Sequence, residues 1–297
     1  MEFILLALLA LYFTILLLGT TALNLFIATV YSKSYYDKSE TNGSRKWPRF
    51  QALLTQWSER FQKNRFNYTI VYKGAEDLEE RVALYLSPEE DTPRAIFAAN
   101  PHGVVAICTL FNVITPLDPK WLNITVCIHQ YIFAIPVLRD IALWVGAIDV
   151  TRENIIERLK THSVYILPGG CKEMIIDFDD PIQSYHKGFL RIAFEEKKPV
   201  FPVLHIGQED VFPSYSTGWL DRKIRIPVQE FIGYPFPTFF SLFPFKSDLT
   251  TYVFEPHLPE KYNDIETFIG DYYTKVKEMY STVRGKKKRP LSVTLSL

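Results

Sequence analysis

The chain has 297 residues, with 33 Lys plus Arg against 33 Asp plus Glu, and so no formal net charge. That length allows one or two domains and a large core, and the balance excludes a chain-wide basic field for nucleic acid. Apolar residues at 47% against 22% charged exclude a mainly disordered protein. The three cysteines, Cys108, Cys127 and Cys171, are widely spaced and form no C-x-x-C. They suggest neither a disulfide framework nor a Cys-based zinc site, and they fit a reducing compartment.

No residue from 3 to 32 is charged. A bilayer core of about 30 Å is crossed by about 20 helical residues. The run therefore predicts a membrane anchor over residues 1–32, either one tilted span or a shallow hairpin turning near Gly19-Thr20-Thr21. A cleaved signal has a basic start and an apolar stretch of about 7–15 residues; this run is longer, and only Glu2 precedes it. Lys33, Lys38, Arg45, Lys46 and Arg49 follow, which places the rest of the chain in the cytosol. The Asn-x-Ser/Thr sites at Asn42, Asn67 and Asn123 would stay unmodified there.

Residues 33–66 form a basic membrane-proximal segment. Phe50, Leu53, Leu54, Trp57 and Phe61 keep helical spacing, flanked by Arg45, Lys46, Arg49, Arg60, Lys63 and Arg65. Two readings stand: a helix on an anionic membrane surface, or one packed on the core with its basic face in water.

Residues 67–285 read as one α/β domain with a largely buried sheet. Strands are predicted over 68–72, 82–86, 95–99, 122–128, 163–167, 200–205, 224–231 and 251–254. Helices are predicted over 151–162, with Thr151 as N-cap, over about 187–196, and along a stripe from Ile265 to Val283. Residues 231–245 carry six Phe, one Tyr, three Pro and no charge. This segment is expected to be an aromatic loop at a membrane interface, the alternative being a loop folded over the core. A basic tail occupies 286–297.

No G-x-S-x-G, H-E-x-x-H, P-loop or G-x-G-x-x-G occurs, and no histidines stand at metal-ligand spacing. Three segments at strand ends or helix starts can carry chemistry. In Asn100-Pro101-His102-Gly103 a histidine of pKa near 6.5 can take a proton from a hydroxyl. In Pro168-Gly169-Gly170-Cys171-Lys172-Glu173 paired glycines free backbone N–H groups for an oxyanion, beside a carboxylate. His186-Lys187-Gly188-Phe189-Leu190-Arg191 is a cationic, glycine-containing helix start of the kind that binds phosphates. Each segment read alone also fits a structural turn, a first-turn acid or a solvated basic face.

Taken together and in order, the segments resemble the diacylglycerol acyltransferase type 2 family, which includes monoacylglycerol and wax-alcohol acyltransferases. Asn100-Pro101-His102-Gly103 is similar to that family's His-Pro-His-Gly block. Pro136-Val137-Leu138-Arg139-Asp140 and Gly146-Ala147-Ile148-Asp149-Val150-Thr151-Arg152 resemble an intermediate pattern. Pro168, Gly169, Gly170 and Glu173 match Pro-Gly-Gly-x-x-Glu, and His186-Lys187-Gly188-Phe189 resembles Arg-Lys-Gly-Phe. Gly207-Gln208-Glu209-Asp210-Val211-Phe212 is similar to Phe-Gly-Glu-x-x-x-Phe. The resemblance covers about residues 90–265. Asn100 and His186 depart from it, and the late Gly-x-Pro-Ile stretch is only loosely matched by Phe254-Glu255-Pro256-His257.

The resemblance implies a glycerolipid-acyltransferase-like mixed sheet flanked by helices. It implies acyl transfer from acyl-CoA to a lipid hydroxyl, foremost diacylglycerol, with acyl-CoA as co-substrate and no metal or other cofactor. Its alternatives are a monoacylglycerol or long-chain alcohol acceptor, or an inactive lipid-binding relative. His102 is the implied base. Glu173 is the second implied catalytic residue, orienting His102 or holding the acceptor. Asn100, Pro101 and Gly103 would line the substrate, and Gly169 and Gly170 would bind the oxyanion. Arg152, Lys187, Gly188 and Arg191 would meet the CoA phosphates. The expected location is the endoplasmic reticulum membrane with the domain facing the cytosol, or lipid droplets, and homo-oligomers remain open.

Overall fold

A computed structural model of the chain describes residues 34–101, 103, 105–135, 137–170, 186–212, 223, 227 and 244–285, with positions 14, 19, 21, 22, 25, 26, 29 and 32. His102, Cys171, Glu173, all but position 227 of the strand expected over 224–231, the tail and nearly all of the aromatic segment lie outside the described residues. Most of the expected anchor does too, although its described positions are helical. Among the described residues no helix is long and apolar enough to cross a membrane.

The strands are β1 (Phe66–Lys73), β2 (Ile96–Asn100), β3 (Thr125–Ile128), β4 (Ile148–Asp149), β5 (Val164–Ile166), β6 (Val200–Ile206) and β7 (Ser247–Phe254). They form one sheet in the order β1-β7-β6-β2-β5-β3-β4. Only the β6–β7 pair is antiparallel, so the sheet is mixed, as expected. The helices are α1 (Pro48–Arg65), α2 (Leu78–Tyr85), α3 (Gln130–Ala134), α4 (Leu138–Trp144), α5 (Arg152–Arg158), α6 (Gly188–Glu195) and α7 (Ile265–Arg284).

Successive strand residues point to opposite faces, and β2 shows the result. Ile96 and Ala98 enter one core with Ile155, Leu190, Ile192, Phe268 and Tyr272, under α5, α6 and α7. Phe97 and Ala99 enter the other, with Leu78, Val82, Trp121, Phe133 and Leu143, under α2, α3 and α4. There Phe97 stacks on Phe201 at 4.8 Å and meets Trp121 edge-on at 5.3 Å. Such pairs add about 0.5–1.5 kcal/mol each beyond their buried area. Both sheet faces are thus covered, which explains the unbroken apolar runs of β2, β5 and β6.

Two expectations are corrected. Residues 82–86 are not a strand but continue α2, because Leu78, Val82 and Leu86 recur every four residues and are buried on one side. The strand expected over 122–128 begins only at Thr125, after a 3₁₀ turn at Pro119–Asn123 started by Pro119 and capped by the Asp118 carboxylate.

Candidate active site

β2, β5 and β6 are mutually parallel and adjacent, with β2 in the middle. Their carboxyl ends therefore share one edge, where α/β sheets place ligands. The segment around His102 leaves β2 there, Pro168-Gly169-Gly170 leaves β5, and Gly207-Gln208 leaves β6. Three of the sequence blocks thus meet at one place.

Asn100 ends β2 and is buried. The segment that contains His102 is held at both ends by Gln208, in the 3₁₀ turn Gln208–Asp210 that follows β6. Gln208 Nε2 donates to the Pro101 carbonyl, and Gln208 Oε1 accepts from the Cys108 N–H at 3.3 Å. Gly103 has φ 62°, and a methyl placed on it would stand 3.7 Å from Gln208 Cγ. A side chain is strained at that φ, so the chain here needs glycine. Gln208 is itself buried. An amide both donates and accepts, so this one residue closes the loop across its width. Beside it the Glu209 carboxylate accepts from the Gly207 N–H at 3.1 Å, and burial pushes the Glu209 carboxyl above its ordinary pKa.

Gly170 takes φ 50°, and its N–H donates to the Leu167 carbonyl at 3.1 Å. That donor closes the turn itself. A methyl on Gly170 would stand 3.6 Å from His186 Nε2, so the start of α6 lies against the glycine turn. Tyr273 on α7 fixes this approach by donating to the His186 carbonyl at 3.0 Å. Lys187 and Gly188 are exposed where α6 begins.

The two arginines differ: Arg191 lies one turn into α6 from Lys187, to whose carbonyl its N–H donates at 3.2 Å. Arg191 faces Glu266 at 3.8 Å. Arg152 is paired with Glu195, in the last turn of α6 and about 10 Å along the helix from Gly188. The structure thus gathers Asn100, Pro101, Gly103, Gly169, Gly170, Lys187 and Gly188 near one edge and places Arg152 away from it. Thr151 precedes α5 as expected but makes no side-chain cap bond.

The role of Gln208 is not legible in local sequence pattern and shows only because β6 lies beside β2. The same holds for a buried polar chain beneath the edge. The Tyr165 hydroxyl lies 2.9 Å from His205 Nε2, His205 Nδ1 lies 3.0 Å from Thr251 Oγ1, and Tyr68 lies 3.0 Å from that same oxygen. The chain crosses β5, β6, β7 and β1. Ala99 on the intervening β2 carries only a methyl, which leaves room for Tyr165 to reach His205. Among the described residues no cluster of His, Cys, Asp and Glu could hold a metal ion.

The family profile for diacylglycerol acyltransferase matches residues 81–296. The chain belongs to the diacylglycerol acyltransferase family. It is 28% identical over 192 residues to the diacylglycerol O-acyltransferase 1 of Eremothecium gossypii, covering 57% of this chain and 41% of that protein. It is 26% identical over 216 residues to the diacylglycerol O-acyltransferase 2 of Dictyostelium discoideum, covering 65% and 66%. With the 2-acylglycerol O-acyltransferase 1 of Bos taurus it shares 24% identity over 231 residues, covering 67% and 68%. The matched region thus spans about two-fifths to two-thirds of the length of these family members. The crystal structure of the 1-acyl-sn-glycerophosphate acyltransferase from Thermotoga maritima aligns with 89% of this chain and 94% of that one, at 17% identity and a TM-score of 0.45.

Proposed function

We propose that the chain transfers a fatty acyl group from acyl-CoA to the free hydroxyl of diacylglycerol, forming triacylglycerol and free CoA. The observation that carries this reading is the shared edge. In a member of the diacylglycerol acyltransferase family, the turns after β2 and β5 leave adjacent parallel strands side by side.

His102 takes the proton from the acceptor hydroxyl as its oxygen attacks the thioester carbonyl. The new C–O bond forms a tetrahedral oxyanion, which the Gly169 amide steadies. Collapse breaks the C–S bond, and the CoA thiolate leaves with the proton returned from the imidazolium. Glu173 orients His102 or holds the acceptor, and Lys187 and Gly188 meet the CoA phosphates at the start of α6. Residues 1–32 hold the protein in the endoplasmic reticulum membrane, where both lipids partition. Carbonate extraction tests this last point: the full-length protein stays in the pellet, and its release would remove the integral anchor.

The acceptor is tested with purified protein, labelled acyl-CoA and diacylglycerol, monoacylglycerol or a long-chain alcohol in turn. Labelled triacylglycerol from the first supports the reading. Diacylglycerol or wax ester alone would reassign the acceptor, and no product from any would mark an inactive lipid-binding relative.

A further inference from the structure

One surface exposes large apolar side chains above a buried arginine. In α4, Arg139 is 1% exposed, while Leu138 and Ile141 are 42% and 37% exposed and Val137, just before the helix, is 60%. At about 100° per residue, the outward three share one face, opposite Arg139 and Leu143. Ile135, on the approach from α3, is exposed as well.

Arg139 ties this segment to the chain that follows the uncharged N-terminal run. It donates to Ser34 Oγ at 3.1 Å and pairs with the Glu40 carboxylate at 2.7 Å, and its guanidinium lies 4.6 Å over the Tyr35 ring. The Tyr35 hydroxyl in turn donates to the Ala134 carbonyl at 2.8 Å.

α1 continues the surface. Trp47 and Phe50 pack on Trp144 of α4 at 5.5 and 4.9 Å. The core-facing side of α1 is polar: Gln51, Ser58 and Gln62 are buried, Gln51 Nε2 donates to the Ile114 carbonyl at 3.1 Å, and Ser58 Oγ accepts from Thr115 at 2.8 Å. The stripe of Phe50, Leu53, Trp57 and Phe61 is turned about 100° from that side, leaving Leu53 and Trp57 at 63% and 56% exposure. Exposed Arg49 and Arg60 border the stripe.

We propose that the outer face of α4 and the apolar stripe of α1 form one surface that lies in the interfacial layer of a lipid bilayer. Trp47 and Trp57 sit at headgroup level, and Arg49 and Arg60 meet lipid phosphates. Aromatic residues and a basic rim around an apolar face are what such a layer binds. The clamp through Arg139 holds the surface at the base of the uncharged run, so it meets the bilayer that the run enters. A second copy fits less well, because a two-fold interface would bring this basic rim against itself. The proposal rests on the membrane residence of the chain and not on acyl transfer.

The test uses the full chain in vesicles of neutral and anionic phospholipid, with Cys171→Ser and a fluorophore on Ile141→Cys. Thr274→Cys on the exposed side of α7 is the control. Quenching by doxyl-labelled lipid several-fold stronger at 141 than at 274 supports the proposal. Equal quenching overturns it. Shielding of 141 from aqueous iodide without quenching by doxyl lipid also overturns it, and assigns the face to a second copy or another protein. Were Ile141→Cys to misfold, the same probe on Leu53→Cys reads the α1 half: strong doxyl quenching there supports the proposal, and quenching no stronger than at 274 overturns it. None of these readings requires catalysis, so they are unaffected should acyl transfer fail.

Discussion

Gln208 does for the loop around His102 what no apolar residue of its length can do. It gives a hydrogen to Pro101 and takes one from Cys108, on the two sides of the proposed base. Gln208→Met keeps the length and loses both bonds. A misplacement of about 1 Å at a reacting group costs on the order of 10² in rate, so the variant should lose turnover by that order with little change in KM for acyl-CoA. Steady-state kinetics on membranes with matched protein levels checks this split. A second residue-scale expectation concerns Tyr165→Phe, which leaves buried His205 Nε2 without its hydroxyl partner. The same hydroxyl accepts from Asn112 Nδ2 at 3.4 Å, and its loss should cost about 1–3 kcal/mol of stability, the usual range for a broken buried hydrogen bond, read as a lowered thermal midpoint.

The helices divide by how far their outer faces differ from their inner ones. In α7 and α6 a buried apolar stripe alternates with charge, and both were legible in the sequence near their true limits. The α3–α4 pair was missed because its outer face is also apolar, so the run 131–145 shows no helical period. Residues 82–86 failed for a different reason: five apolar residues in a row fit a strand or a helix, and only the turn before them, with Leu78 inward and Glu79 and Glu80 near the start, decides. The site was legible in part. Turn chemistry and the family resemblance singled out the segments around His102 and the glycine pair as expectations, while Gln208 and the Tyr165–His205–Thr251 chain depend on strand order, which local pattern does not carry. The Arg139 clamp gives an element-scale test. Arg139→Leu removes bonds to Ser34 and Glu40 from a buried guanidinium. Bonds to a charged group are worth about 1.5–3 kcal/mol. Limited proteolysis should therefore open the chain between residues 34 and 47 first, while the sheet remains protected.

Over the whole molecule, acid stability follows from histidines held neutral. Burial, with Arg158, Arg94 and Lys46 nearby, pushes His162 down to about 4, and burial also lowers His257. The unfolded value is about 6.5. The folded state therefore binds protons less readily than the unfolded chain. This contribution is complete above pH 6.5 and is lost as pH falls toward 4. The thermal midpoint should drop across that window, and His162→Gln should flatten the drop. Cys108 and Cys127 are buried, and burial raises both thiols. Both should resist alkylation at neutral pH until the sheet unfolds, which mass spectrometry of labelled peptides would show.

The turn after β2 is proposed to carry proton transfer for acylation of a lipid hydroxyl. The most direct measurement is triacylglycerol formation from labelled acyl-CoA and diacylglycerol by His102→Ala beside the unaltered protein, at equal expression and equal membrane association. A positioned base contributes about 10²–10⁴ in rate. The predicted result is a loss of that order with the protein folded and membrane-bound. Near-full activity of the variant would contradict it and would move the base to another residue.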